Sequence, residues 1–335
     1  MVDVALIPGD GIGREIMPGV AAAISSISDI NFVTFDISSE RYIKTGIIIK
    51  DDELEELKNY RAILFGAIGD PRVRPGIMEQ GVILRLRREL ELYMNIRPVR
   101  SFDDKIKITI LRENTQDFYT DISGIIPGKR SFNVNGTRIE IDGSSCDEVY
   151  YTMGMLSYRY LKKFFNKAFS ICDSTVTVTD KANAVKMYNL WRSTAMEAAI
   201  EKNINISFEY ADALAYNMIL NPKKYRYIIA PNLYGDIISD MGAALVGGLG
   251  YAPSANIGDK NALFEPVHGS APDIAGRDMA NPAASIMAGS MLLEYLGYRD
   301  ESRIINDMVR NLYINGVFNS ERTSKIIERF MTITK

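Results

Sequence analysis

The chain has 335 residues, 47% hydrophobic and 24% charged, with a formal net charge of -3, which is typical of a globular protein of one large or two medium domains. The small negative charge and the lack of a basic, aromatic-rich run argue against nucleic acid or an anionic membrane as a partner. Two cysteines, no leader-like N-terminus and no long apolar run favour a cytoplasmic protein.

Apolar strand patterns alternate with helical patterns along the chain. Strands are predicted at 4–7, 31–37, 61–66, 106–112, 174–179, 206–210 and 227–230. Helices are predicted from the first glycine turn to about 27, and at 51–59, 81–93, 150–167, 186–202, 212–220, 236–246, 282–296 and 300–335. This alternation indicates an α/β sandwich with a largely parallel sheet.

Two segments interrupt the alternation. Residues 132–141 alternate apolar and polar side chains around Asn135-Gly136, a pair that accepts the positive φ angles of a type I′ turn, so a protruding hairpin arm is predicted around 130–142. Residues 247–282 are rich in Gly, Pro, Ala and Asn, and show little periodicity. A stretch of this length without regular structure is expected to bind a ligand.

The first predicted strand runs into Gly9-Asp10-Gly11-Ile12-Gly13. A Rossmann dinucleotide fingerprint would need glycine at position 14, where Arg14 stands, although Asp36 could imitate the ribose-binding acid. A glycine turn between strand and helix is therefore the favoured interpretation.

Asp236 and Asp240 lie four residues apart on a predicted helix, so both carboxylates project from one face. The repulsion between the two carboxylates costs a few tenths of a kcal/mol. A hard cation such as Mg²⁺ or Mn²⁺ bound between them would make the pair stabilising. The apolar neighbours favour this metal site over a solvated acidic face. Asp212, which opens another helix, is a candidate third ligand or a helix N-cap.

The charged residues suggest both the substrate and the acid–base groups. Arg97 and Arg112 stand at element ends and could clamp the carboxylates of a small polyanion. With His268 as the only histidine, proton transfer must come mostly from Asp, Glu, Lys or Tyr. Lys181 and Tyr119 are candidates, although either could simply be a surface residue.

Six segments in order resemble the isocitrate and isopropylmalate dehydrogenases, the β-decarboxylating dehydrogenases. They cover the chain from residue 1 to about 297. The segments are Ile7-Pro8-Gly9-Asp10-Gly11-Ile12-Gly13, Asn95-Ile96-Arg97-Pro98, Arg112-Glu113-Asn114-Thr115, Asp180-Lys181-Ala182-Asn183, the run 234–240 and the run 264–276. The chain departs from the family in a long central region, 120–148, and in lacking the Pro-Asp-Leu-Gly-Gly segment near the C-terminus.

The resemblance implies a two-domain α/β/α sandwich with a mixed sheet that is not a Rossmann fold. Residues 1–95 plus 247–335 would form the cofactor-binding domain, and 96–246 a central domain with the dimer interface and the arm. The active site would lie in the cleft between the domains and be shared between the subunits of a homodimer. Pairing of dimers into tetramers is left open.

The resemblance also implies roles for individual residues. Substrate carboxylates would be bound by Arg87, Arg97 and Arg112. The metal ion, Mg²⁺ or Mn²⁺, would be bound by Asp236 and Asp240 together with Asp212 of the second subunit. Lys181, also of the second subunit, would be the base on the substrate hydroxyl, and Tyr119 would protonate the enol formed after decarboxylation. The cofactor would be bound by Glu265, His268, Gly269, Ser270, Ala271, Asp273, Ile274 and Asn281.

Two short segments bear on cofactor and substrate choice. Asp273-Ile274 resembles the NAD-type pair, in which the acid would repel a 2′-phosphate. The apolar Ile83 and Leu84 suit an isopropyl group, so 3-isopropylmalate is the expected substrate, converted to 2-oxoisocaproate in leucine biosynthesis. The run 256–259 resembles homoisocitrate and isocitrate enzymes instead, and D-malate and tartrate remain alternatives.

A catalytically inactive regulatory subunit is the alternative from another functional class. Such subunits usually lose an arginine, the lysine or a metal-binding aspartate. This chain keeps all of them, which favours an active enzyme.

Overall fold

The computed structural model describes residues 1–120, 122–126, 128–134, 137–143 and 149–333. Its strands are β1 (Val2–Gly9), β2 (Ile30–Thr34), β3 (Ala62–Ala67), β4 (Met94–Arg100), β5 (Lys107–Glu113), β6 (Ser123–Ile126), β7 (Gly128–Val134), β8 (Thr137–Gly143), β9 (Val149–Thr152), β10 (Val176–Asp180), β11 (Ile206–Tyr210), β12 (Tyr227–Ala230), β13 (Pro253–Ile257) and β14 (Ala262–Pro266).

The helices are α1 (Ile12–Ile27), α2 (Ser39–Thr45), α3 (Asp51–Leu57), α4 (Arg85–Glu89), α5 (Tyr158–Phe169), α6 (Tyr188–Lys202), α7 (Ala211–Leu220), α8 (Asn232–Leu245), α9 (Ala283–Leu296), α10 (Arg299–Ile314), α11 (Val317–Ser320) and α12 (Thr323–Ile333). A π-helical segment, Glu79–Leu84, leads directly into α4. Among the described residues, no helix is long and apolar enough to span a membrane.

One mixed sheet of ten strands runs through the described chain, in the order β11-β10-β12-β5-β4-β13-β14-β3-β1-β2. The pairings β4 with β5, β4 with β13 and β13 with β14 are antiparallel, and the others are parallel. The antiparallel strands therefore occupy the middle of the sheet. This arrangement confirms the predicted α/β fold with a mixed sheet.

Helices cover both faces of this sheet. Along β1, Val4 and Leu6 pack into one buried cluster, whereas Ala5 and Ile7 pack into another on the opposite face. Successive side chains of a strand point to opposite faces, so a strand that is apolar throughout must be covered on both sides. The three layers form the predicted α/β/α sandwich.

Three predicted helices differ from the structure. The predicted helix 81–93 ends at Glu89, because a turn and β4 follow. Residues 150–157 are not helical: Val149–Thr152 is β9, paired with β6, and α5 begins only at Tyr158. The predicted helix 300–335 is broken at Gly316, which has φ +69°, and divides into α10, α11 and α12.

The segment 247–282 contains two strands that its composition did not predict. β13 and β14 pair with each other and insert between β4 and β3, and all ten of their residues are buried. Small and amide side chains fit here because the strands are covered on both faces. Strands β7 and β8 pair as the predicted hairpin, whose Asn135-Gly136 turn lies outside the described residues. Its role as a protruding arm stays a prediction.

Candidate active site

Two buried arginines and two aspartates meet where β4 and β5 pass helix α8. An Arg97 Nη1 atom lies 3.1 Å from Asp236 Oδ1 and 3.2 Å from Asp240 Oδ1. Arg112 also donates to Asp236 Oδ1 through an Nη1 atom. The i, i+4 spacing on α8 places both carboxylates on the face that the arginines approach, as the sequence predicts.

Arg112 is almost fully buried, and its position depends on the first turn of α8. Its Nε atom donates to Asn232 Oδ1 over 3.0 Å. A Cβ atom built on Gly235 would lie 2.6 Å from Arg112 Cγ, so only glycine fits there without movement. Gly235 lies within α8, which begins at Asn232 and not at Asp236 as the sequence predicts.

The four charged groups shift one another's protonation. Burial and the like charge of Arg97 lower the pKa of Arg112, although Asp236 opposes them. Burial would raise the pKa of Asp236, but Arg112 and Arg97 hold it below its ordinary value. Burial and the adjacent Asp236 raise the pKa of Asp240, although Arg97 and Arg112 oppose them. The cluster thus holds one firmly ionised carboxylate beside one that takes up a proton more readily.

Tyr119 joins the same cluster. Its hydroxyl donates to Asp236 Oδ2 over 3.0 Å, and its ring lies 5.4 Å from the Arg112 guanidinium carbon. Burial and the nearby Asp236 raise the pKa of Tyr119, so the phenol keeps its proton. A protonated phenol at this position can act as a hydrogen-bond donor or a general acid.

Arg87, the third predicted substrate-binding arginine, lies in α4 and is also buried. An Nη2 atom lies 3.3 Å from Glu265 Oε1, and both side chains are about nine-tenths buried. Its Nε atom is buried and has no hydrogen-bond partner among the described residues. Glu265, predicted to bind the cofactor, therefore contacts a predicted substrate-binding residue.

A network of buried amides connects Arg87 and Arg97, which sequence reasoning did not anticipate. Asn256 on β13 donates to Glu265 Oε1 over 2.7 Å and accepts from Asn95 Nδ2 over 3.0 Å. Asn95 in turn accepts from Arg97 Nε over 2.7 Å. Buried polar groups need such partners, and the amides fix the two guanidinium groups relative to each other. The signal in the sequence was the run 256–259, which resembles homoisocitrate and isocitrate enzymes.

Lys181 and Asp212 lie apart from this cluster within one chain. Lys181 Nζ lies 2.6 Å from Asp212 Oδ1, and the two residues follow the ends of β10 and β11. The preceding Asp180 is buried and accepts from Arg192 Nε over 2.7 Å and from the Ala182 amide over 2.7 Å, which orients the Lys181 loop. No hydrogen bond or ion pair within the described residues links either Lys181 or Asp212 to Asp236.

The predicted cofactor segment packs against the glycine turn that follows β1. Gly11 has φ +52°, and a Cβ atom there would lie 2.0 Å from the Ser270 carbonyl oxygen. That carbonyl accepts from the Ile12 amide over 3.0 Å. Buried Asp10 accepts from Ser39 Oγ over 2.5 Å and from the Gly69 amide over 2.9 Å. Close backbone packing therefore requires glycine here. This agrees with the interpretation of the segment as a glycine turn between a strand and a helix.

A cavity of about 420 Å³ lies between this segment and residues 68–79. Gly269, Ser270 and Ala271 line one side of it, and Gly69 and Asp70 line the other. The cavity is of the size that binds small ligands. The loop 68–75 was not among the residues predicted to bind the cofactor.

The other predicted cofactor residues follow the same segment. His268 is half-buried, and its Nε2 atom is buried without a hydrogen-bond partner among the described residues. Asp273 is exposed and Ile274 is half-buried. Asn281 Oδ1 accepts from the Ala283 amide over 2.9 Å at the start of α9. Within the described residues, neither the exposed carboxylate of Asp273 nor the buried Nε2 atom of His268 makes a hydrogen bond.

Ile83 and Leu84, the predicted specificity residues, end the π-helical segment just before α4. Both are half-buried, and Ile83 packs against one of the buried clusters. A π-helical turn carries one more residue per turn than an α-helix and often marks a functional site. The segment therefore displaces these side chains relative to Arg87 on the following helix.

Comparisons with known proteins agree with this arrangement. The model of the family described as isocitrate/isopropylmalate dehydrogenase matches residues 3–328. A 3-isopropylmalate dehydrogenase of Bifidobacterium longum is 33% identical over 91% of each chain. A homoisocitrate dehydrogenase of Methanocaldococcus jannaschii is 35% identical over 94% of this chain and 91% of that one.

Solved structures give the same result. The isocitrate dehydrogenase of Methylococcus capsulatus superposes with a TM-score of 0.88 at 30% identity, covering 100% of this chain and 99% of that chain. A beta-decarboxylating dehydrogenase of Thermococcus kodakarensis in its apo form gives 0.79 at 31% identity, covering 100% and 96%. The chain belongs to the isocitrate/isopropylmalate dehydrogenase family and is an oxidoreductase of the decarboxylating type.

Proposed function

We propose that this chain is a cytoplasmic, NAD-dependent, metal-requiring dehydrogenase that oxidises and decarboxylates 3-isopropylmalate to 2-oxoisocaproate, a step of leucine biosynthesis. The proposal rests on one cluster of side chains, in which Arg97 and Arg112 are ion-paired with the aspartates Asp236 and Asp240. Tyr119 donates a hydrogen bond to the same cluster. Guanidinium groups bind substrate carboxylates, and the aspartates supply hard oxygen ligands.

The arginines are suited to bind a dicarboxylate because they are held in place before it arrives. Arg112 is fixed by Asn232, and Arg97 by Asn95 and by Ser239 Oγ, which accepts over 2.7 Å. Arg87 adds a third guanidinium group with a buried Nε atom that has no partner in the described chain. Binding groups that are already ordered lose less conformational entropy when the ligand binds.

The donor set fits a divalent cation only in part. The side chains of Asp236 and Asp240 are 36% and 49% exposed, so both carboxylates are open to a ligand. Within the described residues no three acidic, histidine or cysteine side chains are grouped to hold a metal. Asp212 of a second copy would complete the set in a homodimer. A bound Mg²⁺ or Mn²⁺ would acidify the substrate hydroxyl and withdraw negative charge from it.

Tyr119 and Lys181 supply the proton transfers in this proposal. The Tyr119 hydroxyl stays protonated and donates to Asp236, a proposed metal ligand. There it can protonate the enol formed after decarboxylation, which gives the 2-oxo acid product. Lys181 is ion-paired with Asp212 in the same chain. If one copy contributes Asp212 to its partner's site, its Lys181 enters with it, in reach of the substrate hydroxyl.

The cavity lined by Gly269, Ser270 and Ala271 is proposed to receive NAD, which accepts the hydride. The exposed carboxylate of Asp273 would hydrogen-bond the ribose hydroxyls and repel a 2′-phosphate. His268 and Asn281 are proposed to contact the adenine.

Reduction of the cofactor with each acid in turn tests the proposal. The purified protein is assayed with Mn²⁺ and NAD on 3-isopropylmalate, isocitrate, homoisocitrate, D-malate and tartrate, and then with NADP. We expect 3-isopropylmalate and NAD to give the highest kcat/KM, with no turnover after metal chelation. Turnover that is undiminished by chelation would contradict the metal site, and a higher rate with another acid would contradict the role of Ile83 and Leu84.

Homoisocitrate is the second candidate substrate, and one observation favours it. Asn256 belongs to the segment that resembles homoisocitrate and isocitrate enzymes, and it lies in the amide network behind the arginines. The relative from Methanocaldococcus jannaschii also has that name. The same assay separates the two acids directly.

A further inference from the structure

A second cavity lies on the face of the sheet opposite to the candidate active site. On β4, Arg97 faces the aspartates, whereas Ile96 and Pro98 line this cavity. On β13, Asn256 belongs to the buried amide network and Ile257 lines the cavity. Because alternate residues of a strand point to opposite faces, the same strands present the candidate active site and this cavity back to back.

The floor and the wall of the cavity are mostly apolar, with Thr109 of β5 and Ser290 of α9 as polar exceptions. The floor comes from neighbouring strands β5, β4, β13 and β14, with Phe264 on the last of them. Three strand spacings make it about 14 Å across. Met287, Met291 and Tyr295 of α9 form the wall, since residues four apart share one helix face. Flexible methionine side chains adapt readily to different apolar ligands.

The charged residues of the cavity are mostly cationic. Arg100, Arg226 and Arg299 line it together with the single carboxylate Glu294. All three guanidinium groups belong to exposed residues, and none makes an ion pair within the described part of the chain. Arg100 lies at the end of β4, and the Arg226 carbonyl accepts from the Thr109 amide of β5, so Arg100 and Arg226 stand at one end of the floor.

We propose that this cavity binds an amphiphilic monocarboxylate with an acyl chain of medium length. Its volume of about 500 Å³ is that of a small-molecule site. The carboxylate would pair with the guanidinium groups at the β5 end, and the acyl chain would lie along the floor towards Phe264. Charge complementarity at one end and an apolar floor at the other select this class of ligand over a neutral lipid or a polar anion.

Calorimetric titration of the purified full-length chain with decanoate tests the proposal. We expect one decanoate bound per chain, and about tenfold weaker binding of decan-1-ol, which has the same chain without the charge. The variant Met291→Trp fills the wall and is expected to abolish binding. The double variant Arg100→Ser/Arg226→Ser is expected to weaken decanoate about tenfold and to leave decan-1-ol unchanged.

Arg159→Ser, at an exposed arginine of α5 that does not line the cavity, serves as the matched control and is expected to bind decanoate normally. Decanoate that binds equally to the wild type, to Met291→Trp and to the double variant would overturn the proposal, since it would then occupy another site such as the active-site arginines. Absence of binding to the wild type would overturn it as well. Because the double variant changes exposed residues only, it tests the site even if Met291→Trp does not fold.

Discussion

Asn256 is the centre of the buried amide network that connects Arg87 and Arg97. Its Oδ1 atom accepts from Asn95 and from Asn114 Nδ2, the latter over 2.8 Å, and its Nδ2 atom donates to Glu265. Removing one partner leaves the others buried and unpaired, which costs more than the lost bond itself. The residue therefore helps to fix the distance between Arg87 and Arg97 through Glu265 and Asn95, its hydrogen-bond partners.

We predict that Asn256→Ala lowers the free energy of unfolding by about 1–3 kcal/mol and raises KM more than it lowers kcat. The arginines would bind the substrate less well once their supporting amides move. Denaturant unfolding and steady-state kinetics measure the two effects. Asn59→Ala, at an exposed asparagine, is the control and is expected to change neither. If Asn256→Ala is less stable but its KM is unchanged, Asn256 has a purely structural role and the prediction is wrong.

His268 is the only histidine, so its titration can be observed in isolation. Burial lowers the pKa of its imidazole below the ordinary value, although the Gly269 carbonyl opposes this. The unfolded chain then binds the proton more readily, so the contribution of His268 to stability is present above the ordinary value near 6.5 and is lost as pH falls below it.

We predict that the single imidazole signal in NMR titrates below its ordinary pKa of about 6.5. The wild type should also lose more thermal stability between about pH 7.5 and 5.5 than His268→Asn, whose side chain does not titrate. An imidazole that titrates at or above the ordinary value would contradict the prediction.

At the scale of elements, helix α8 is positioned by two glycines that face different neighbours. A Cβ atom on Gly235 would meet Arg112 Cγ at 2.6 Å, and one on Gly242 would meet Val99 Cγ2 at 2.8 Å. Both are helical positions at which alanine would otherwise be favoured. Only Gly235 contacts a residue of the candidate active site.

We predict that Gly235→Ala lowers kcat/KM by about ten- to a hundredfold because it displaces the Arg112 guanidinium. Gly242→Ala is the matched control, expected to cost about 1–3 kcal/mol of stability through overpacking with little effect on kcat/KM at a temperature where both proteins are folded. Kinetics and thermal unfolding of the two variants measure this difference. Equal losses of activity would show that Gly235 acts through packing alone.

The elements that the sequence predicted best are those with a clear period. β11 and β12 have the predicted bounds, and the carboxylates of α8 share one face as expected. β13 and β14 escaped prediction because their small and amide residues, such as Ser254 and Asn256, are buried by tertiary packing and carry no periodic signal. The amide network was missed for the same reason, since its members become neighbours only when β4 and β13 pair.

For the whole molecule, the separation of Lys181 and Asp212 from Asp236 has a direct consequence. Within one chain, Asp236 is not paired with Lys181 or Asp212. Each proposed site of a dimer would therefore combine Asp236 of one copy with Lys181 and Asp212 of the other. In a heterodimer of Asp212→Asn and Asp236→Asn subunits, one site would carry both substitutions and the other neither.

We predict that each variant alone is inactive and that their co-expressed mixture recovers about a quarter of the wild-type activity, as random pairing into symmetric dimers requires. Activity is measured on the copurified mixture, and a size measurement confirms the dimer. A mixture that stays inactive would show that the two aspartates act within one chain. The control is a mixture of two Asp236→Asn preparations that carry different affinity tags and are combined in the same way. It is expected to stay inactive, which excludes a gain of activity caused by handling.

The position of β13 and β14 between β4 and β3 also bears on synthesis of the chain at the ribosome. Within the described sheet, the strands nearest the N-terminus, β1 to β3, are joined to the strand pair β4 and β5 by hydrogen bonds through these late strands. Until residue 266 has emerged, the nascent polypeptide holds two partial sheets, each with an unpaired edge open to hydrogen bonding. Such edges invite association with other chains, so this protein should depend on chaperones during translation more than its length suggests.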